Sequence, residues 1–188
     1  MTNLNVMHIE KNDENRVKVN GYVEQFHIWG SAVDYVEETS ELMQQFAKHC
    51  FQFPFYVHVE TYSDQESVQE MLAFQAHVDM MYRSTGNKVL SMTGGKILYE
   101  DVPSFSLKVK DAKDLVLVFG EWFHLAHQNH LWVMSQQADV RYEEGILQFD
   151  LTSEAVVLVA DHDGYGFSVL TNAEEYREKA KLLAVFGE

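Results

Sequence analysis

The sequence predicts an α+β fold: a largely antiparallel meander sheet, with two helices in the N-terminal half and one C-terminal helix. Three observations predict it. Residues 31–50 carry apolar side chains at helical spacing, residues 51–62 switch to strict alternation, and beyond residue 87 short apolar runs follow one another between turn signals. Strands and helices segregate rather than alternating regularly, which favours α+β over a parallel α/β fold. Only two prolines (Pro54, Pro103), no Ser/Gly-rich linker and no internal repeat occur, so residues 1–188 read as a single domain.

The segment 16–29, RVKVNGYVEQFHIW, alternates as a strand or a bent hairpin, with Asn20-Gly21 as its turn. Next comes an amphipathic helix over 31–50. Ser31 has N-cap character, Asp34 occupies the third position, and Val33, Val36, Met43, Phe46, Ala47 and Cys50 trace its apolar stripe. In 51–62 Phe53, Phe55, Val57 and Val59 share one strand face, while Tyr56, His58, Glu60 and Tyr62 share the other. Pro54 suits an edge strand or the first residues of a strand. Ser63 is positioned to cap a second helix running to about Arg83, with Met71, Phe74, Val78 and Met81 on one side and Gly86 ending it.

The meander then follows. KVLSMTGGKILYE reads as a hairpin about Gly94-Gly95. SFSLKVK and DLVLVFGEWFHLA read as strands joined at Asp111–Asp114, and LWVMSQ as another. VRYEEGILQFDL turns at Glu144-Gly145, and EAVVLVADHDGYGFSVL turns at Asp163-Gly164. A last helix over 172–186 takes Asn172 as its cap and offers Leu182, Leu183 and Phe186 to the core.

Hydrophobic residues make up 46% of the chain, with 12 Phe, 9 Tyr and 3 Trp, which argues against disorder. Cys50 is the only cysteine, so no disulfide closes within the chain. The first residues show no basic stretch followed by an apolar one, and apolar runs such as Leu115–Phe119 are too short to span a bilayer. A cytoplasmic protein without membrane contact is the expectation. The net charge of −15 is unevenly spread. Residues 31–82 hold nine carboxylates against Lys48 alone, a net of −8, whereas residues 88–113 hold five lysines against three acids, a net of +2. Such a surface repels phosphate backbones, which disfavours nucleic acid, and attracts a basic protein. Glu37, Glu38 and Glu41 are the residues expected to meet that partner. The same charge also serves plain solubility.

Candidate chemistry is sparse. His124, His127 and His130 in FHLAHQNHLW fall three apart. On a helix, neighbours at that spacing lie about 300° apart in rotation. In a hairpin turning at Gln128-Asn129, His127 would face His130 while His124 pointed away. Neither geometry gathers three ligands, so the stretch reads as a structural turn, and if any residues bind metal they are His127 and His130. No metal and no cofactor is expected. His58 and Glu60, with Tyr56 and Tyr62, form a polar cluster with general acid/base potential, or simply a polar strand face that is solvated or covered by a helix. DHDGYG (161–166) starts like a calcium loop, but Tyr165 and Asn172 stand where ligands are needed, leaving a hairpin tip. SMTGGK (91–96) lacks the spacing of a phosphate loop, and no GxGxxG, GxSxG or HExxH occurs. Cys50 lies on the apolar stripe at a helix C-terminus, which suits a structural thiol. Met71, Met80 and Met81 make the second helix soft, as core filling or as a binding groove.

The sequence therefore points first to a non-enzymatic acidic interaction protein that docks a basic partner through its acidic helical half. Two other classes stay open. One is a metal-dependent hydrolase drawing on His58, Glu60, His127, His130 and Asp161, and the other a small-molecule binder with an aromatic-lined pocket. Edge strands could pair between chains, which leaves a homodimer open.

Overall fold

Two sheets and a layer of helices are stacked in the computed structural model, which describes residues 4–10, 16–21, 23–93, 96–151 and 155–187. In chain order the elements are β1 (Asn5–Ile9), β2 (Val17–Asn20), β3 (Glu24–Trp29), α1 (Tyr35–Cys50), β4 (Phe55–Glu60), α2 (Gln65–Phe74), β5 (Met80–Thr93), β6 (Lys96–Val109), α3 (Ala112–Trp122), α4 (His124–His127), β7 (Trp132–Ser135), β8 (Arg141–Glu143), β9 (Ile146–Asp150), β10 (Val156–Ala160), β11 (Phe167–Thr171) and, after a 3-10 turn at Glu174–Tyr176, α5 (Lys179–Ala184). Eight strands form one antiparallel sheet in the order β1-β3-β11-β10-β7-β4-β6-β5. The α+β class holds. What the sequence did not signal is a second sheet, β2-β9-β8, in which β2 runs parallel to β9.

Alternation along the large sheet explains the layering. Phe26 and Ile28, Phe55, Val57 and Val59, Trp132 and Met134, and Leu158 and Ala160 face the helices and join α1, α2, α3 and α5 in one core. The intervening Val133, Val157 and Val159 face the other way, onto Val17, Val19, Leu147 and Phe149 of the small sheet. Strands buried on both faces read as unbroken apolar runs, as Val156–Ala160 does.

Several expected elements change identity. The 16–29 hairpin does not form, because β2 pairs with β9 and β3 with β1 and β11. α1 begins later than Ser31, since the Asp34 carboxylate accepts the Glu37 N–H and sets the cap there, leaving Val33 fully exposed. β4 is central, with Pro54 just before its first residue. The second helix stops at Phe74, capped at its start by Asp64 rather than Ser63. From Met80 the chain instead pairs with β6, Met80 opposite Leu107 and Arg83 opposite Ser104. Gly86, at φ +75°, lies where the β5–β6 register shifts and ends no helix. Met71 is buried in α2, but Met81 sits exposed on β5. The turn at Gly94-Gly95 lies outside the described residues.

The largest departure is 114–126, expected as strand and found within α3 and α4. Asp111 accepts the N–H groups of Lys113 and Asp114, and Leu115, Val118, Phe119 and Trp122 bury one helical face. Asn129 is not a hairpin tip. At φ 64° it closes α4, with the His130 N–H reaching the Leu125 carbonyl. The turn at Glu144-Gly145 forms as expected, both residues having positive φ and Glu143 pairing with Ile146. β10 and β11 form their hairpin too, closed by the loop 161–166 between Ala160 and Phe167. At the C-terminus Asn172 caps nothing. Its side chain accepts the Ala155 N–H, and α5 starts only at Lys179. Among the described residues no helix is long and apolar enough to cross a membrane.

Candidate functional site

The polar face of β4 is covered, but by the small sheet rather than by a helix. His58 is completely buried there. Its Nδ1 lies 2.8 Å from Ser106 Oγ, and its Nε2 lies 3.1 Å from both Ser135 Oγ and the Gln137 carbonyl. A carbonyl only accepts, so Nε2 carries the proton and Nδ1 accepts from Ser106. Burial pushes the His58 pKa down to about 3, which keeps the ring neutral. Phe149 of the small sheet packs edge-on against it and Tyr56 stacks beside it. His58 is thus a pin between sheets.

Glu60, at the end of the same strand, is 2% exposed. Arg16, the residue before β2, pairs with Glu60 Oε2 through Nη2 and donates from Nη1 to the Asn129 carbonyl at 2.7 Å. The Tyr142 hydroxyl donates to Ser104 Oγ at 2.9 Å and lies beside Glu60 as well. Burial raises the Glu60 pKa and the Arg16 guanidinium opposes that rise. Beyond this network opens a cleft of about 510 Å³, lined among others by Arg16, Glu60, Tyr62, Leu90, Glu100 and His130. Tyr62 meets the His130 ring edge-on at 4.2 Å. Burial first, then Arg16 and His124, lower the His130 pKa to about 4, and its buried Nε2 has no hydrogen-bond partner.

The three histidines do not converge. His124 is exposed beside Trp122, His127 is exposed with Nδ1 donating to the Asp163 carbonyl at 3.0 Å, and His130 turns into the cleft. The expected apposition of His127 and His130 fails because the chain between them is a helix end. Asp161 pairs instead with His27 at 3.4 Å. Among the described residues no group of three or more His, Cys, Asp or Glu is placed to hold a metal ion. Cys50 packs against the helical core, and burial pushes its thiol pKa well up.

A second region of interest lies at the N-terminal half of α1. Asp34, Glu37 and Glu41 are exposed, whereas Glu38 is buried. The 161–166 loop packs on this half of the helix: the Gly166 N–H donates to Thr39 Oγ1 at 2.9 Å, and Tyr165 meets Tyr35 edge-on at 5.4 Å. Asp163 and Tyr165 are exposed, and His127 completes the aromatic group 6.2 Å from Tyr35. No lysine or arginine lies between Lys18 and Lys48, between Lys113 and Arg141, or between Arg141 and Arg177. The elements that build this face, namely β3, α1, α4, β10 and β11, therefore carry no lysine or arginine except Lys48 in the last turn of α1. No family model matches the chain, and neither the curated proteins nor the solved structures contain a match to it.

Proposed function

We propose that the chain is a non-enzymatic interaction protein that docks a basic protein partner on the face formed by the N-terminal half of α1 and the 161–166 loop. The observation that carries this reading is the coincidence of exposed carboxylates (Asp34, Glu37, Glu41, Asp163) with the half-buried Tyr35 ring and the exposed Tyr165 ring, on segments whose nearest lysine in sequence is Lys48 at the far end of α1. Aromatic anchors concentrate binding energy in protein interfaces, and uncompensated charge steers an oppositely charged partner. Of the three glutamates expected at the interface, Glu37 and Glu41 offer their carboxylates to solvent and Glu38 does not.

The test is a titration with an arginine- and lysine-rich peptide at low and moderate salt. Glu37→Lys/Glu41→Lys should weaken binding about tenfold more than Glu174→Lys/Glu175→Lys, which changes net charge equally on the exposed 3-10 turn. Equal losses would mean diffuse attraction to an acidic chain and no docking face. The Arg16–Glu60 cleft supports a second reading, a pocket for a small polar ligand, because its volume falls in the range of small-molecule sites and the His130 Nε2 atom there lacks a partner.

A further inference from the structure

Glu38 is the anomaly of the acidic face. It is 8% exposed, yet among the described residues no ion pair forms to it. Its Oε2 accepts the Ala32 N–H at 2.8 Å, and its Oε1 is buried without any hydrogen-bond partner. The carboxylate lies over Gly30, where any Cβ would collide with it. Over it passes the 31–34 segment, whose four residues are all exposed, Val33 completely. An uncompensated buried carboxylate is expensive, and a chain rich in alternatives would ordinarily place a neutral residue or a cation there. β3, α1, β10 and β11 supply no cation, because none of them carries a lysine or arginine outside Lys48 at the far end of α1.

We propose that Glu38 is the anchoring carboxylate of the docking face and that its ligand is the guanidinium of an arginine on the basic partner. This rests on the docking reading above and names the residue chemistry it recognises. Arginine fits better than lysine for three reasons. Its planar fork places parallel donors that can span Glu38 Oε1 and a neighbouring carboxylate. Asp34, one turn earlier at the N-cap of the same helix, supplies such a neighbour. Tyr35 and Tyr165 add ring surface of the kind on which a guanidinium stacks, whereas an ammonium gains less there. Entry requires the backbone beside the carboxylate to give way, and the adjoining 31–33 segment, tied to Oε2 only through the Ala32 N–H, is exposed, so its shift costs little core packing. Free, the chain leaves Oε1 without a hydrogen bond. Bound, the partner's arginine satisfies it.

The experiment uses the full chain and two defined probes, nona-arginine and nona-lysine, titrated by calorimetry at low salt. Wild type should bind nona-arginine several-fold more tightly than nona-lysine. Glu38→Gln should erase that preference and cost nona-arginine at least fivefold more than Glu70→Gln, an equal loss of charge on the exposed surface of α2. Thermal unfolding of Glu38→Gln should show a free chain as stable as wild type or more so, because an uncompensated charge has been removed. Glu38→Asp, which keeps the charge but shortens the reach, should also lose the arginine preference, and it serves if Glu38→Gln does not fold. Equal losses in Glu38→Gln and Glu70→Gln would overturn the proposal while leaving docking intact, provided Glu37→Lys/Glu41→Lys still weakens binding about tenfold more than Glu174→Lys/Glu175→Lys. Absence of binding by wild type to either probe would overturn both.

Discussion

Glu38 and Glu60 are both buried carboxylates, and the chain treats them in opposite ways. Glu60 lies between the two sheets, where β2 brings Arg16 against it and β8 brings Tyr142 alongside. Glu38 lies in the first half of α1, where among the described residues it receives one backbone N–H and Oε1 receives none. The fold itself supplies the counter-charge in the first region and omits it in the second. Burial of an acid is therefore no guide to its role until its partners are counted. The compensated site holds two sheets together, and the uncompensated one is the better candidate for contact with another molecule.

The sharpest break in this comparison comes from acid. His58, pinned beside Glu60's strand neighbours, has a pKa of about 3 in the folded chain, against about 6.5 when unfolded. The unfolded chain takes up the proton first, so this stability is complete above about pH 6.5 and drains away as the pH falls toward 3. Between pH 7 and pH 4 the loss should reach about 3 kcal/mol by urea unfolding. His58→Asn, though weaker at neutral pH, should lose much less over that interval, and parallel curves would contradict the pin.

Next in size is Arg16→Ala. It strands the Glu60 carboxylate between the sheets and should cost about 2–3 kcal/mol, below the full cost for a buried pair because the Arg16 head is 38% exposed. Glu60 already has a raised pKa, and losing Arg16 raises it further. A folded carboxyl with a raised pKa penalises folding above that pKa and not below the unfolded value. The gap between variant and wild type should therefore narrow on acidification, and a gap independent of pH would show that Arg16 acts by packing alone.

On the uncompensated side the effects on folding are smaller. Gly30→Ala forces the Glu38 carboxylate off its seat, a flexible displacement that should cost about 1 kcal/mol, or a melting temperature about 3 °C lower. Smallest is Glu37→Lys/Glu41→Lys. It should change folding by about 0.5 kcal/mol or less while weakening peptide binding markedly. A large loss of stability there would mean that α1's acids support the fold, and the contrast between the two regions would collapse.

Local pattern was legible where one period ruled. The alternation of Phe55, Val57 and Val59 against Tyr56, His58 and Glu60 is what the strand shows, and both faces are occupied as alternation requires. Residues 114–126 misled because β-branched and aromatic side chains give a strand-like composition, although Leu115, Val118, Phe119 and Trp122 already stand at helical spacing. The end of α2 left no local mark either. Met80 and Tyr82 leave the helix pattern only because β6 offers them a partner. The polar cluster was half visible. His58 and Glu60 share a face by alternation, but Arg16, Tyr142 and Gln137 reach them from distant segments whose spacing carries no signal. Glu38 reads as one more surface acid in the sequence, because nothing local distinguishes a buried glutamate from an exposed one a turn away.

The parallel pairing of β2 with β9, Val17 beside Leu147, has a consequence for the order of events during synthesis. Joining segments so far apart closes a very long loop, and chains dominated by such pairings fold slowly. The stretch from β4 through α3 is contiguous and can assemble as soon as it has been made, whereas β2, made well before β9, has no dock until β9 emerges. Until then Val17 and Val19 travel as an unpaired apolar strand and the His58–Glu60 face stays wet. A strand made long before its partner is thus among the last to find its place.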